Sequence, residues 1–344
     1  MLHYPILSII LPVYNGEAFI KRTIQSVIDQ ELQDWELIII NDGSKDQSET
    51  IISDFCTFDT RIITISQENK GLSAARNVGY HKATGKYIVF LDADDYVEPN
   101  YYKKLVVSTE RYGADFVISS YIRDFVQSDA QIKSKLVCFK EQFLEKYNQI
   151  QQCCSKIYFY NVYIHVWNKI YRHDFLLKHG IVFDETKRYA EDVPYNIAVL
   201  EKAKNILFVD VPGYHYVCHK AERLTGKWNK SLLIDNCKVY QKIVAYEQDY
   251  LGMKQSEVAA GMYLRSCFLT VEKMINMKMS YKDIKENIKQ LFNMPVLSEV
   301  LRISYKKCKS KEFLIYKCIL KLKIPFLFYI SVVLRRALKY MIGR

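Results

Sequence analysis

Lys86-Tyr87-Ile88-Val89-Phe90-Leu91-Asp92-Ala93-Asp94-Asp95 joins a short apolar run directly to three carboxylates. The run 86–90 is rich in aromatic and β-branched side chains, which predicts a buried strand. Acids crowded at the end of such a strand repel one another and lose hydration, so a positive partner must compensate them. A divalent metal ion is the expected one.

Towards the N-terminus, strand and helix patterns alternate: strand 6–11, helix 17–30, strand 35–40, helix 46–58, strand 61–66 and helix 72–83. Near-continuous apolar strands separated by helices predict a parallel sheet covered on both faces, in which ligands sit beyond the carboxyl ends of the strands. The polar clusters fall at those ends: Pro12-Val13-Tyr14-Asn15, Asn41-Asp42-Gly43-Ser44 and Asp92-Ala93-Asp94-Asp95. Three strand ends are therefore expected to meet at one site. Further on, the patterns predict a strand at 115–121, a helix at 168–179, another from Asp192, and a strand pair within 206–216. Helices follow at 231–251, 255–279 and 281–292.

The chain has 344 residues, 49% of them hydrophobic, enough for a sizeable core. Its net charge of +11 is unevenly spread: residues 301–344 hold 12 Lys/Arg and one acid, Glu312, leaving 37 of each sign in 1–300. A neutral body with a basic, apolar tail predicts an anionic membrane surface as partner and no nucleic acid. Segment 311–340 interleaves Phe313, Ile315, Tyr316, Ile319 and Phe326 with Lys317, Lys321, Lys323 and Arg335, and is interrupted at Pro325. Two basic amphipathic helices in a membrane interface would read this way, and so would helices packed on the catalytic domain. On the first reading, a chain ending near residue 305 stays folded. The longest uncharged apolar run there, 324–334, has 11 residues, short of the roughly 20 needed to span a bilayer. Nine cysteines without a Cys-x-x-Cys pair, and an N-terminus that reads as a strand, predict a cytoplasmic protein held on the inner face of the cell membrane.

Ser8-Ile9-Ile10-Leu11-Pro12-Val13-Tyr14-Asn15, Ile39-Ile40-Asn41-Asp42-Gly43-Ser44, Gly71-Leu72-Ser73-Ala74-Ala75-Arg76-Asn77-Val78-Gly79, Asp92-Ala93-Asp94-Asp95 and Glu191-Asp192, in this order, closely resemble family 2 glycosyltransferases of the GT-A fold, of the bacterial capsule and exopolysaccharide type. The resemblance covers residues 5–225. It implies an α/β catalytic domain over 1–225, with a nucleotide-sugar half (1–100) and an acceptor half (101–225). A helical extension over 226–344 follows. The implied activity is metal-dependent, inverting transfer of one hexosyl or N-acetylhexosaminyl group from a UDP-sugar to a glycan or lipid-linked oligosaccharide. A nucleotidyltransferase releasing pyrophosphate, or a membrane-docked sugar-nucleotide binder, are the alternatives.

Residue by residue, the resemblance implies that Asp42 accepts the uracil N–H, Tyr14 packs on the base, Glu17 reaches the ribose, and Pro12 gives shape. Ser44-Lys45-Asp46-Gln47 is itself a capping-box pattern, so Ser44 and Asp46 read as helix caps. Glu17 also suits a helix N-terminus. Arg76, among small residues, is expected to point inward with Asn77, either bridging the acids or binding diphosphate. On an extended segment residues two apart share a face, which would pair Asp92 with Asp94 as ribose and metal ligands for Mn²⁺ or Mg²⁺, with Asp94 foremost for the metal and Asp95 a turn or cap residue. Asp192 is the implied catalytic base, with an N-cap as its other reading. Trp167 is core or an acceptor platform. His215 is a metal or phosphate ligand or a packed histidine. Val217 replaces an arginine often present in the family, for which Lys220 and Arg223 are the candidate substitutes.

Overall fold

The computed structural model describes residues 4–128, 131–145, 149, 160–187, 189–219, 231–253, 257–303 and 311–341. Lys220, Arg223 and Gln255 lie outside them. The chain divides into two compact units, Met1–Tyr147 with Val162–Lys220, and Asn148–Asn161 with Ala221–Arg344.

The first unit is built on an eight-stranded sheet. Strands β1 (Leu7–Val13), β2 (Trp35–Asn41), β3 (Ile62–Ser66) and β4 (Tyr87–Phe90) are parallel, in the order β3-β2-β1-β4. Helices α1 (Ile20–Ile28), α2 (Ser48–Phe58) and α3 (Leu72–Lys82) connect them. Every residue of β1, β2 and β4 is buried, as strands covered on both faces require. The sheet continues through β10 (Lys169–Arg172), β6 (Phe116–Ser119), β11 (Ile206–Val209) and β9 (Gln142–Leu144). β10 runs antiparallel to both β4 and β6, so parallel order ends where the second half begins.

A second sheet, in the order β5-β12-β7-β8, joins β5 (Tyr96–Val97), β12 (Tyr214–Cys218), β7 (Tyr121–Ser128) and β8 (Gln131–Val137). The periodicity did not reveal it. β7 and β8 mix apolar with charged residues, and the strands expected as a pair within 206–216 go to different sheets. The predicted helix 168–179 is strand β10 followed by a short helix at His173–His179. Its first residues, Lys169-Ile170-Tyr171, are wholly buried between two strands, and tertiary pairing overrides local preference there.

The second unit is helical: α8 (Leu232–Asp249), α9 (Glu257–Asn276), α10 (Tyr281–Phe292), α11 (Pro295–Val300), α12 (Lys311–Lys321) and α13 (Pro325–Met341). (Helix numbers α4 to α7 belong to Tyr101–Tyr112, Tyr160–Tyr163, His173–His179 and Asp192–Lys202.) Phe268 of α9 stacks on Tyr316 of α12 at 4.1 Å and meets Phe328 of α13 edge-on at 4.8 Å, and Arg335 pairs with Glu272 at 2.7 Å. One face of the tail is thus buried in its own helical unit. Ending the chain near residue 305 would take both aromatic partners from Phe268.

Candidate active site

The loops after β1 and β2 are stitched together. Asn15 N donates to Ser44 Oγ (3.0 Å), Lys45 N to Asn15 Oδ1 (2.8 Å), Gly16 N to Ser48 Oγ (2.9 Å), Glu17 N to Asp46 Oδ2 (3.0 Å), and Gln47 N to Glu17 Oε2 (2.9 Å). Glu17 therefore holds the α2 entry, and Ser44 ties two loops rather than capping a helix. Asp46 stands one residue ahead of the α2 N-cap, Gln47, and its Oδ1 accepts from Ser48 N at 3.0 Å. Tyr14 stands 38% exposed on this platform, and Pro12 is buried within β1. Asp42 is 3% exposed, and its carboxylate accepts from Gln67 Nε2 (2.7 Å), Lys70 N (2.8 Å) and Gly71 N (2.9 Å). It fixes the loop leading into α3 and keeps room for about one further donor. Gly43, at φ +73°, lets this turn press on Asn69, whose N a Cβ would approach to 2.8 Å.

Asp92–Asp95 is a turn, closed by Asp95 N donating to Asp92 O at 3.1 Å. This corrects the extended-strand reading: Asp92 and Asp94 are not paired by strand pleat. Thr23 Oγ1 shares its hydrogen between the Ala93 and Asp95 carbonyls (2.8 and 2.7 Å), and Arg22 donates to Asp94 O at 2.8 Å. Asp95 is not a cap. It is wholly buried, accepting from Tyr214 Oη and Val217 N, both at 2.7 Å, and burial with the Asp94 and Asp92 charges raises its pKa well above the carboxylate range.

Arg76, 1% exposed, ties this turn to a distant segment. Nη2 donates to Asp92 Oδ1 at 3.0 Å, and Nη1 to Glu191 Oε1 and Asp192 Oδ1, both at 2.9 Å. Burial opposes its charge, but Asp192, Asp92 and Glu191 outweigh that and hold its pKa above the ordinary value. Asn77, next on α3, donates to Phe183 O and Glu185 Oε1 and accepts from Phe183 N, all at 2.9 Å, fixing the approach to Glu191. Asp192 opens α7. Burial pushes its carboxyl up; Arg76 and Lys169 pull it back while Glu191 and Asp92 add to the rise, leaving it at about 7. A carboxyl that titrates there suits a general base at neutral pH. Trp167 is buried, stacked on Tyr214 at 4.5 Å and Tyr216 at 4.9 Å. His215 turns to Asp124 (2.8 Å) and Glu98 (3.5 Å) and stacks on Tyr96 at 4.2 Å.

Residues 8–169 match the profile of Glycosyl transferase family 2. The chain is 30% identical over 307 residues to the uncharacterized glycosyltransferase EpsJ of Bacillus subtilis (strain 168), covering 87% of this chain and 86% of that protein. The chain is a family 2 glycosyltransferase. It is also 30% identical over 241 residues to glycosyltransferase GlyA of Streptococcus pneumoniae serotype 4, covering 66% of this chain and 33% of that one. The fold of the enzyme is GT-A-like: it matches the crystal structure of S. aureus TarS 1–349 in complex with UDP-GlcNAc with a TM-score of 0.64 at 18% identity, over 98% of this chain and 92% of that one.

Among the described residues of this glycosyltransferase no group of three or more His, Cys, Asp or Glu side chains forms a metal cage, and His215 is turned to Asp124 and Glu98. Asp92 and Asp94 carry the hard oxygen donors that Mg²⁺ and Mn²⁺ take together with substrate phosphates. Glu191, read in sequence only as part of the Glu191-Asp192 motif, shares Arg76 with Asp192, and Asp95, read as a turn or cap residue, joins the turn to β12 through Tyr214. Lys169 escaped the sequence reading. Lys169 is fully buried, its Nζ donating to Ile164 O, His165 O and Asn168 Oδ1, and burial pulls it down to about 7 against the opposing charge of Asp192. A lysine inside the apolar run Val166-Trp167-Asn168-Lys169-Ile170-Tyr171 was the available signal.

Proposed function

We propose that this glycosyltransferase moves one sugar at a time, with inversion, from a UDP-sugar to a hydroxyl of a glycan, a lipid-linked oligosaccharide in bacterial cell-surface polysaccharide synthesis. The observation that carries the reading is the single buried guanidinium shared by Asp92 at the strand-end turn and by Glu191 and Asp192 at the start of α7. UDP-GlcNAc is the first donor to try, given the TarS complex on the same fold. Asp192 takes the proton from the acceptor hydroxyl as its oxygen attacks the anomeric carbon, and UDP leaves from the opposite side, so an α-donor yields a β-linkage. Arg76 keeps Asp192 in place and balances the carboxylates around it. Asp92 and Asp94 would hold Mg²⁺ or Mn²⁺, whose charge offsets that of the departing diphosphate. Tyr14 and Asp42 line the side assigned to the base. A panel of sugar nucleotides read by UDP release tests this. Release should need Mg²⁺ or Mn²⁺ and vanish in Asp94→Ala; full activity in excess chelator refutes the metal, and pyrophosphate release refutes glycosyl transfer.

The membrane partner is assigned to the elbow between α12 and α13. Leu322, Ile324, Phe326 and Leu327 are between 42% and 57% exposed there, and the exposed Lys321 and Lys323 sit among them. Apolar tips ringed by lysines suit an anionic bilayer, the apolar groups entering it and the ammonium groups meeting the headgroups. Among the described residues no helix is long and apolar enough to cross a membrane.

A further inference from the structure

His165 carries a side chain at φ +60°, a left-handed backbone region that favours glycine. Strain of this kind persists only where the surroundings impose it, and it gathers at ligand sites. Here two buried residues impose it. Lys169 Nζ donates to the His165 carbonyl, and Asn196 Nδ2 donates to it at 2.9 Å and to Tyr163 O at 3.1 Å. Asn196 lies four residues after Asp192 on α7, hence on the same helix face and one turn along. The clamp therefore fastens His165 to the face that bears the carboxylate.

The rings tell the same story from the other side. The His165 imidazole stacks on Trp167 at 4.6 Å, Tyr216 stacks on the same indole at 4.9 Å, and the two are 5.8 Å from each other. Trp167 also stacks on Tyr214, whose hydroxyl donates to Asp95 in the strand-end turn. Trp167 and Tyr214 are buried, whereas His165 and Tyr216 are half-buried, with the Arg123 guanidinium 5.7 Å from the Tyr216 ring centroid.

We propose that His165 and Tyr216 form an acceptor subsite that receives a pyranose ring on its aromatic surface, with the imidazole hydrogen-bonding a ring hydroxyl. The subsite rests on the reading of Asp192 as the base. It makes the acceptor a glycoside rather than an acyclic alcohol, because flat rings with one polar nitrogen match a sugar's apolar face and its hydroxyls. Trp167 supports the rings from below without touching the acceptor.

The test uses the full chain, the sugar nucleotide that it hydrolyses fastest, and octyl β-glucoside, β-galactoside and β-N-acetylglucosaminide as acceptors. At least one glycoside should raise UDP release saturably. His165→Asn and Tyr216→Leu should raise the acceptor concentration at half-saturation by at least about tenfold while that of the donor stays within about twofold. Asn accepts the left-handed backbone, so His165→Asn should melt no lower than wild type, and His165→Tyr should restore part of the acceptor affinity. An unchanged acceptor half-saturation in both variants, equal shifts for donor and acceptor, or no stimulation by any glycoside would each overturn the subsite. Asp192→Asn separates the readings: if it turns over like wild type the base assignment fails, while the effect of His165→Asn on acceptor saturation is still read directly.

Discussion

Arg76 has three carboxylates on two nitrogens in a nearly dry setting, and its removal would leave all three uncompensated. Arg76→Ala should therefore cost about 3–5 kcal/mol of stability. The sign with pH follows from charge: uncompensated carboxylates are costly to bury only when ionised, so the deficit grows as pH rises above about 4 and shrinks on acidification. Thermal melts of both proteins from acid to mildly alkaline pH would show it; a deficit independent of pH would mean lost packing rather than lost charge. For Asp192 the carboxyl at about 7 has to be deprotonated to act as base, so transfer should fall about tenfold per unit below that pH. Asp192→Asn keeps the shape and removes the basic oxygen, and should lower turnover about 10²–10⁴-fold with little change in donor half-saturation. A loss of UDP binding in step with turnover would mark it as a structural cap.

At the scale of elements, α3 is where packing sets chemistry. Gly79 lets the helix lie close on β1 and β2, because a Cβ there would meet Ile10 Cγ2 at 2.5 Å and Ile40 Cδ1 at 2.6 Å. Arg76 sits three residues earlier on that helix. Gly79→Ala should cost about 1–3 kcal/mol through overpacking, and it should lower transfer below what the unfolded fraction explains, because the guanidinium moves with the helix. Activity that tracks the folded fraction alone, measured at a temperature well below the melt, would count against this coupling. Asp92–Asp95 shows the limit of periodicity at this scale. The strand 87–90 was legible from its apolar run. The turn after it was not, because its shape is set by Thr23, Arg22 and Tyr214 from elsewhere in the chain.

Across the whole molecule, charge and apolar surface concentrate at one end of the sequence. The tail uses one face to complete the helical unit, through Phe313, Tyr316, Leu320 and Phe328, and offers the other at the elbow. Full-length protein should sediment with anionic vesicles and be partly released by salt, since screening reaches the lysines and leaves apolar insertion intact. Replacing Leu322, Ile324, Phe326 and Leu327 by serine should remove the salt-resistant fraction and keep the salt-sensitive one. Equal retention at high salt would move the insertion away from the elbow, and indifference to vesicles of any charge would remove the membrane partner. A chain ending near residue 305 should lose helical-unit stability, visible as a lower melting temperature.

The strands and helices over 7–90 were readable by themselves because a buried parallel strand is a continuous apolar run and a covering helix repeats its apolar positions at helical spacing. The acids at the strand ends, the inward Arg76 and the Glu191-Asp192 pair were readable for the same reason, as charges standing where burial was predicted. Which carboxylate Arg76 binds, that Asp95 is an anchor, that Asn196 clamps His165, and that the tail folds back on α9 depended on contacts between residues tens to more than a hundred positions apart. Such contacts leave no local period. A buried charge announces in sequence that it needs a partner, and only the folded chain supplies the partner's identity.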